Sequence, residues 1–571
     1  MSYQGHEDHN HHNIAATEQH HDGGFVNDHH HNNSKEFKAS NSNPSYNEMG
    51  DFPEGREAKS GIAGLIKNPY VFLTCIFASI GGVLFGYDQG VISGVQEMTD
   101  FKERFPMNST QTGFMVSILL LGCWLGSIVI GYFADKIGRK YSIVLSTVVF
   151  LLGSALQGGA MNIGWLLGSR FVTGLGVGAL SLLVPLYQSE IAPPEIRGSL
   201  LSLQQLSITF GILISFWIDY GFNNVEGQAS WRVPLCIQMA FALVLIFGIF
   251  FFPFSPRWLM SKGRDDEALR VLAKLRRLPE NHPIVLQEWK DIKITIEFDR
   301  HVERQMYPEY VEQNKGAMIT IMGYRDLFRK SMFKRLFIGC ALMFFQQFTG
   351  MNALIYYAPQ IFRSIGIRGE SVSLLATGVV GIINFVFTFP TVFLLDIVGR
   401  KTALMVAALA MSSCMIIVAV ITALFQDDWA NHQREGWVSV AFIYIFIINF
   451  AYAWGPICWV VPAEIFPLRS RAKAMSVTTS ANWMCNFIIG LIVPIMLEKI
   501  TYGTYIFFAC FLLMSFFFVW FFVPETKGRS LEEMDEVFGG QSAVHDAQIM
   551  NEVENKINQT HSVPGKTQTT V

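Results

Sequence analysis

From residue 71 onward the chain alternates long apolar runs with short polar ones. Twelve of the runs are long enough to cross a bilayer as helices, which takes about 20 apolar residues. They lie near 71–94, 114–134, 141–159, 163–188, 200–220 and 231–252, then near 333–362, 372–395, 403–425, 437–461, 473–497 and 504–523. A polar segment, 253–331, separates the two groups of six. The pattern predicts an all-α membrane protein with twelve transmembrane helices in two pseudo-symmetric six-helix halves. The expected domains are a cytoplasmic tail 1–69, a first half 70–252, a linker 253–331 with short amphipathic helices, a second half 332–523 and a cytoplasmic tail 524–571.

The halves repeat. GYFADKIGRK (131–140) is answered by VFLLDIVGRK (392–401), EIAPPEIRG (190–198) by EIFPLRSRA (464–472), and PFSPRW (253–258) by VPETKGRS (523–530). Parallel six-helix repeats are a transporter signature, with the substrate site near the midplane between them.

Composition agrees with a membrane protein. Hydrophobic residues make up 51% of the 571 and charged residues only 16%, against about 25% in soluble domains. The eight cysteines all fall in apolar runs without metal-ligand spacing and read as buried thiols. Residues 1–60 hold nine histidines among polar residues and read as a disordered tail. A signal peptide of the usual three-part form is not expected, because this stretch is polar. Short loops on one side carry Lys136, Arg139, Lys140, Arg197, Arg400, Lys401, Arg469, Arg471 and Lys473, so that side and both tails are placed in the cytoplasm. Asn108-Ser109-Thr110 then faces outward as a glycosylation sequon.

Polar residues inside the spans carry the candidate chemistry. The seventh contains FFQQFTGMNALIYYAP, residues 344–359. In an unbroken helix Gln347 and Asn352 point about 140° apart, and Gln346 and Asn352 about 120° apart the other way. They converge only if the helix is bent or broken, and Gly350 and Pro359 supply the weak points. Tyr356 shares the face of Asn352. Gln204 and Gln205 join from the fifth span, Asn384 from the eighth, Trp459 from the tenth, and Asn482 and Trp483 from the eleventh. Amides donate and accept without charge. With aromatic faces they suit a neutral polyhydroxylated ligand; each alone could also be interhelical glue. Asp88 and Arg170 are ionisable groups deep in the first and fourth spans, a functional sign in a membrane. A carboxyl that binds a proton when its cation turns away could couple proton and substrate movement; a static pair is the alternative. Asp219, near the outer end of the fifth span, is expected to be solvated. Charges at the cytoplasmic loops recur in both halves: Asp135, Arg139, Glu190 and Arg197, then Asp396, Arg400, Glu464, Arg469 and Arg471. They are expected to latch the halves when the cytoplasmic side closes. The sequence has no Walker A loop, GxSxG elbow or metal motif, so neither ATP motor nor enzyme is expected, nor metal, cofactor or nucleic acid. The glycines of GLGVGA (174–179) read as close helix packing.

These motifs in order, from GYDQGVISG through PLYQSEIAPPEIRG and FFQQFTGMNALIYYAP to NWMCNF and VPETKGRS, resemble the sugar porter family of the major facilitator superfamily over about residues 70–530. PFSPRW departs from the usual PESPR, since Phe254 stands where the family has an acid. The resemblance implies sugar contacts at Gln205, Gln346, Gln347, Asn352, Asn384, Trp459 and Asn482. It implies closure by Tyr356 and proton coupling by Asp88 and Arg170. FGILISFWIDYGFN and the middle segment look like fungal high-affinity monosaccharide transporters. Proton symport of glucose by a single-chain transport unit in the plasma membrane is therefore expected. Uniport, a polyol or inositol substrate, and a non-transporting sugar sensor are the alternatives. The short stretch after PETKG speaks against the sensor.

Overall fold

The computed structural model describes residues 69–560 apart from 193–196, 314–315, 368, 391–397, 528–532, 535–536 and 539–541. The histidine-rich tail and Asp396 lie outside the described residues, as do the side chains of Arg197 and Arg469.

Among the described residues twelve helices are long and apolar enough to cross a membrane. The first six are Pro69–Val95, Ser109–Ile137, Arg139–Gly158, Ile163–Ile191, Leu203–Phe222 and Ala229–Ile249. The second six are Met332–Ser364, Ser371–Thr388, Arg400–Phe425, Gln433–Ile465, Ser470–Lys499 and Gly503–Phe522. The bundle therefore has a linker end, which carries residues 253–331, and a far end, which carries the loop 96–108. The described residues form one compact unit.

Small residues set the closest approaches. A Cβ on Gly174 would come within 2.1 Å of the Leu119 carbonyl, and one on Gly178 within 2.0 Å of the Cys123 carbonyl. Gly174 and Gly178 thus seat the fourth span against the second, and Gly176 seats it against Ser146 and Phe150 of the third, as close-packing glycines do in membranes. Between halves, Trp124 Nε1 of the second span donates to Ser480 Oγ of the eleventh at 2.6 Å, and Phe210 of the fifth meets Phe385 of the eighth with centroids 5.5 Å apart.

The seventh and tenth spans are interrupted where the sequence weakens them. The seventh runs as Lys330–Phe348 and Met351–Ser364, with Gly350 at φ 97° between. That conformation favours glycine, because a Cβ would clash with the backbone. Past the break, Tyr357 leaves helical geometry ahead of Pro359. The tenth passes through a π-helical turn, Phe450–Trp454, before Gly455–Ile465. Such turns often mark functional sites.

The linker folds into helices Pro256–Ser261, Asp265–Arg276, Pro283–Met306, Pro308–Glu312 and Gly316–Asp326. Ala268, Leu272 and Leu275 are buried and Val271 packs at their edge, so the expected amphipathic face exists. Arg276 pairs with Glu288 and donates to the Ile191 carbonyl at 3.2 Å, tying the linker to the end of the fourth span. The polar tail hides one more element: helix Ser542–Thr560 lays Ile549, Val553 and Ile557 against Ile294, Phe298 and Val302 of the linker helix Pro283–Met306.

Candidate functional site

The break in the seventh span gathers amides that an unbroken helix would spread. Asn352 Nδ2 reaches back to donate to Gln347 Oε1 across Gly350. Gln346 Nε2 donates to the carbonyls of Trp454 and Gly455, both at 2.9 Å, at the π-helical turn of the tenth span. Its Oε1 accepts from Asn482 Nδ2 of the eleventh at 2.8 Å. Irregular backbone frees carbonyls that a regular helix would use, and polar side chains re-satisfy them. The far half of the seventh span meets the other half of the molecule. Tyr356 Oη accepts from Gln89 Nε2 at 2.9 Å and donates to Asn486 Oδ1 at 3.1 Å. Its carbonyl accepts from Gln96 Nε2 at 2.6 Å.

The structure thus joins Gln347 to Asn352 and Gln346 to Asn482, while Tyr356 bonds a separate set, Gln89, Gln96 and Asn486. Asn384 is buried in the eighth span, while Gln205 and Trp459 are half-buried in the fifth and tenth. Among the described residues no side-chain hydrogen bond joins these three to the cluster. Gln89, Gln96 and Asn486 escape sequence reasoning: a single amide in an apolar helix carries no periodic signal. For the glutamines, only their place beside Asp88 in DQGVISGVQ could have drawn notice.

Asp88 and Arg170 are both fully buried, yet no hydrogen bond joins them. Neither Asp88 oxygen has a partner, and Arg170 Nε donates to the Met115 carbonyl at 2.9 Å. Gln157 and Gln238, also fully buried, stand beside Asp88. Asp219 corrects an expectation. It is not solvated but fully buried, and it accepts the Gly94 N–H at 3.2 Å. Gly94 has no side chain to hold the fifth span away, so the two helices close over the carboxyl.

At the linker end the loop charges pair within each half. Arg139 bonds Glu190 at 2.9 Å and Asp135 at 3.2 Å. Arg400 bonds Glu464 at 3.2 Å, and Arg471 donates to the Phe466 carbonyl. Each of these described pairs joins residues of one half. Phe254 stacks on Trp258 with centroids 5.6 Å apart, and the Lys140 ammonium lies 5.3 Å from its ring.

Comparison with known proteins bears on what this arrangement serves. The family model described as Sugar (and other) transporter matches residues 74–538. A low-affinity glucose transporter of Saccharomyces cerevisiae is 35% identical over 490 residues, 83% of each chain. A hexose transporter of Kluyveromyces lactis is 36% identical over 489 residues, 82% of each chain. Among solved structures, the xylose transporter XylE from E. coli, partially occluded and inward open, superposes with TM-score 0.66 and 29% identity, over 81% of this chain and 100% of that one. The same proton:xylose symporter bound to 6-bromo-6-deoxy-D-glucose matches with TM-score 0.66 and 29% identity, over 82% and 99%.

Proposed function

The chain belongs to the sugar transporter family, and from that premise we propose that it carries a monosaccharide, glucose first, by alternating access with proton symport. It is a multi-pass membrane protein. The observation that carries the reading is the uncharged cluster at the broken seventh span. Gln346, Gln347, Asn352 and Asn482 present donors and acceptors there without a fixed charge. A sugar hydroxyl both gives and takes a hydrogen bond, so amides match it where carboxylates or lysines would select ions. Gln205, Asn384 and Trp459 complete the site from neighbouring spans, the indole offering its face to the C–H side of the ring. The yeast and fungal relatives named for glucose and hexose support the substrate class.

Coupling falls to the first half and all sugar contacts but Gln205 to the second, the halves here proposed as 70–252 and 332–523, joined by the linker 253–331 and flanked by the tails 1–69 and 524–571. Neither Asp88 oxygen accepts a hydrogen bond in this arrangement, although Gln157, Gln238 and the Arg170 charge stand close. A bare carboxylate so placed costs several kcal/mol, a cost relieved by taking up a proton. When Arg170 swings onto Asp88, the pair favours the charged form and expels the proton. Alternation of the two arrangements with opening of the ends would couple proton entry to sugar entry. The symporter named among the structural neighbours supports this part. The linker end is cytoplasmic in this reading, the membrane is the plasma membrane, and one chain is the transport unit. Charges Asp135, Arg139, Glu190, Arg197, Asp396, Arg400, Glu464, Arg469 and Arg471 would gate that end.

Uptake of labelled glucose in a transport-null host, with external pH recorded, tests the reading on wild type and Asp88→Asn. Sugar-driven alkalinisation is expected, with Asp88→Asn keeping exchange but losing accumulation. Uptake that only equilibrates and ignores a protonophore refutes the coupling. No flux of any hexose from protein at the cell surface refutes the substrate class.

A further inference from the structure

At the far end one carboxylate serves two cations. Glu97 closes the first span and is only 1% exposed. Its Oε2 pairs with Lys102 Nζ at 2.6 Å, five residues along the same half. The same oxygen pairs with Arg363 at the end of the seventh span, 266 residues away in the other half. The two cations are not equivalent: Lys102 travels with Glu97, whereas Arg363 must leave it whenever the halves part at this end. Beside the triad, Gln96 and Gln89 hold Tyr356, which lies in the same segment, Met351–Ser364, as Arg363.

We propose that Glu97, Arg363 and Lys102 form an exchange latch on the far gate, with Arg363 as the travelling partner and Lys102 as the standby. Closure places Arg363 on Glu97. Opening withdraws Arg363 and leaves Glu97 still paired with Lys102. A buried carboxylate stripped of its only partner is strongly disfavoured, so the standby makes the open state accessible. Arg363 therefore favours the closed far end, and Lys102 relatively favours the open one. The two cations touch the same oxygen and bias the gate in opposite directions. The inference rests on the alternating-access reading above.

The test is the half-saturation of glucose exchange on each face of oriented proteoliposomes, with hydrogen–deuterium exchange of residues 351–364 in lipid nanodiscs. Arg363→Gln is expected to lower the far-side half-saturation by about fivefold or more and raise the linker-side value, since a bias towards one open state acts reciprocally on the two faces. Amide exchange in 351–364 should rise. Lys102→Gln should do the reverse on all three readouts. Glu97→Gln should follow Arg363→Gln, and Arg363→Lys should behave as wild type. Shifts of the same sign in Arg363→Gln and Lys102→Gln, or no shift in either, overturn the latch. If wild type carries no glucose the transport reading fails, and the opposite amide-exchange responses still decide the latch.

Discussion

The two halves turn the same corner with different chemistry. Both place a glycine with positive φ ahead of an Arg-Lys helix start: Gly138 at φ 87° before Arg139, and Gly399 at φ 89° before Arg400. Both point the arginine at a glutamate, Glu190 or Glu464, and both bring the lysine onto carbonyls, of Phe250 and Phe252 or of Trp520. They part over what covers the corner. In the second half Glu525 accepts the N–H groups of Arg400 and Lys401 at 2.9 and 3.0 Å, an anion on the open start of a helix. In the first half the aligned residue is Phe254, which stacks on Trp258, and the Trp258 ring lies over Gly138. Duplicated sequences can thus keep a backbone turn while one copy seals it electrostatically and the other by packing. An acid at 254 is not required to build the corner.

The glycines should be the hardest part to change. Gly399→Ala would put a Cβ 2.7 Å from Glu525 Oε2, and Gly138→Ala one 3.0 Å from the Trp258 ring. The backbone conformation alone costs about 1–3 kcal/mol for any other residue. Both variants should lower the thermal midpoint of purified protein, and the backbone term should be shared between halves. A loss confined to one half would break the equivalence of the corners.

Exchanging the covers should have a smaller, unequal effect. Glu525→Phe orphans two helix-start N–H groups and should cost about 1–3 kcal/mol. Phe254→Glu loses an aromatic contact of about 0.5–1.5 kcal/mol but supplies the missing anion, so its midpoint should move by less. Equal losses from the two exchanges would mean that the corners differ beyond their covers.

The smallest effect should be seen with acid. Partial burial works against ionisation of Glu525, but N–H groups from Lys527, Arg400, Lys401 and Thr526 outweigh it and hold the carboxyl below its usual range. A depressed value means the cap stabilises fully above the unfolded value of about 4.3. That contribution is lost as pH falls through the lower folded value. The stability gap between wild type and Glu525→Gln should therefore persist from neutral pH to about 5 and shrink at lower pH. A gap unchanged in acid would assign the cap to shape rather than charge.

Much of this was legible in the chain because bilayer spans need only length and apolarity, and Gly350 and Pro359 announced where the seventh would yield. The meeting of Gln347 with Asn352 followed from that weakness. Other features depend on what packs against them. Asp219 reads as an end-of-helix acid until Gly94 is seen to let the first span close over it. Gln89 and Gln96 acquire meaning only through Tyr356, some 260 residues away. The capping role of Glu525 was hidden because hydrogen bonds to backbone leave no trace in side-chain pattern.

The contact between the linker helix and the C-terminal helix carries a consequence in time. Phe298 leaves the ribosome about 255 residues before Val553, its packing partner. At about 5–20 residues per second, the stripe of Ile294, Phe298 and Val302 stands uncovered for about 13–50 s of synthesis, while the entire second half is still being inserted. Newly made chains thus carry this apolar stripe open at the linker end over that interval. A chain that terminates before the helix Ser542–Thr560 keeps the stripe open.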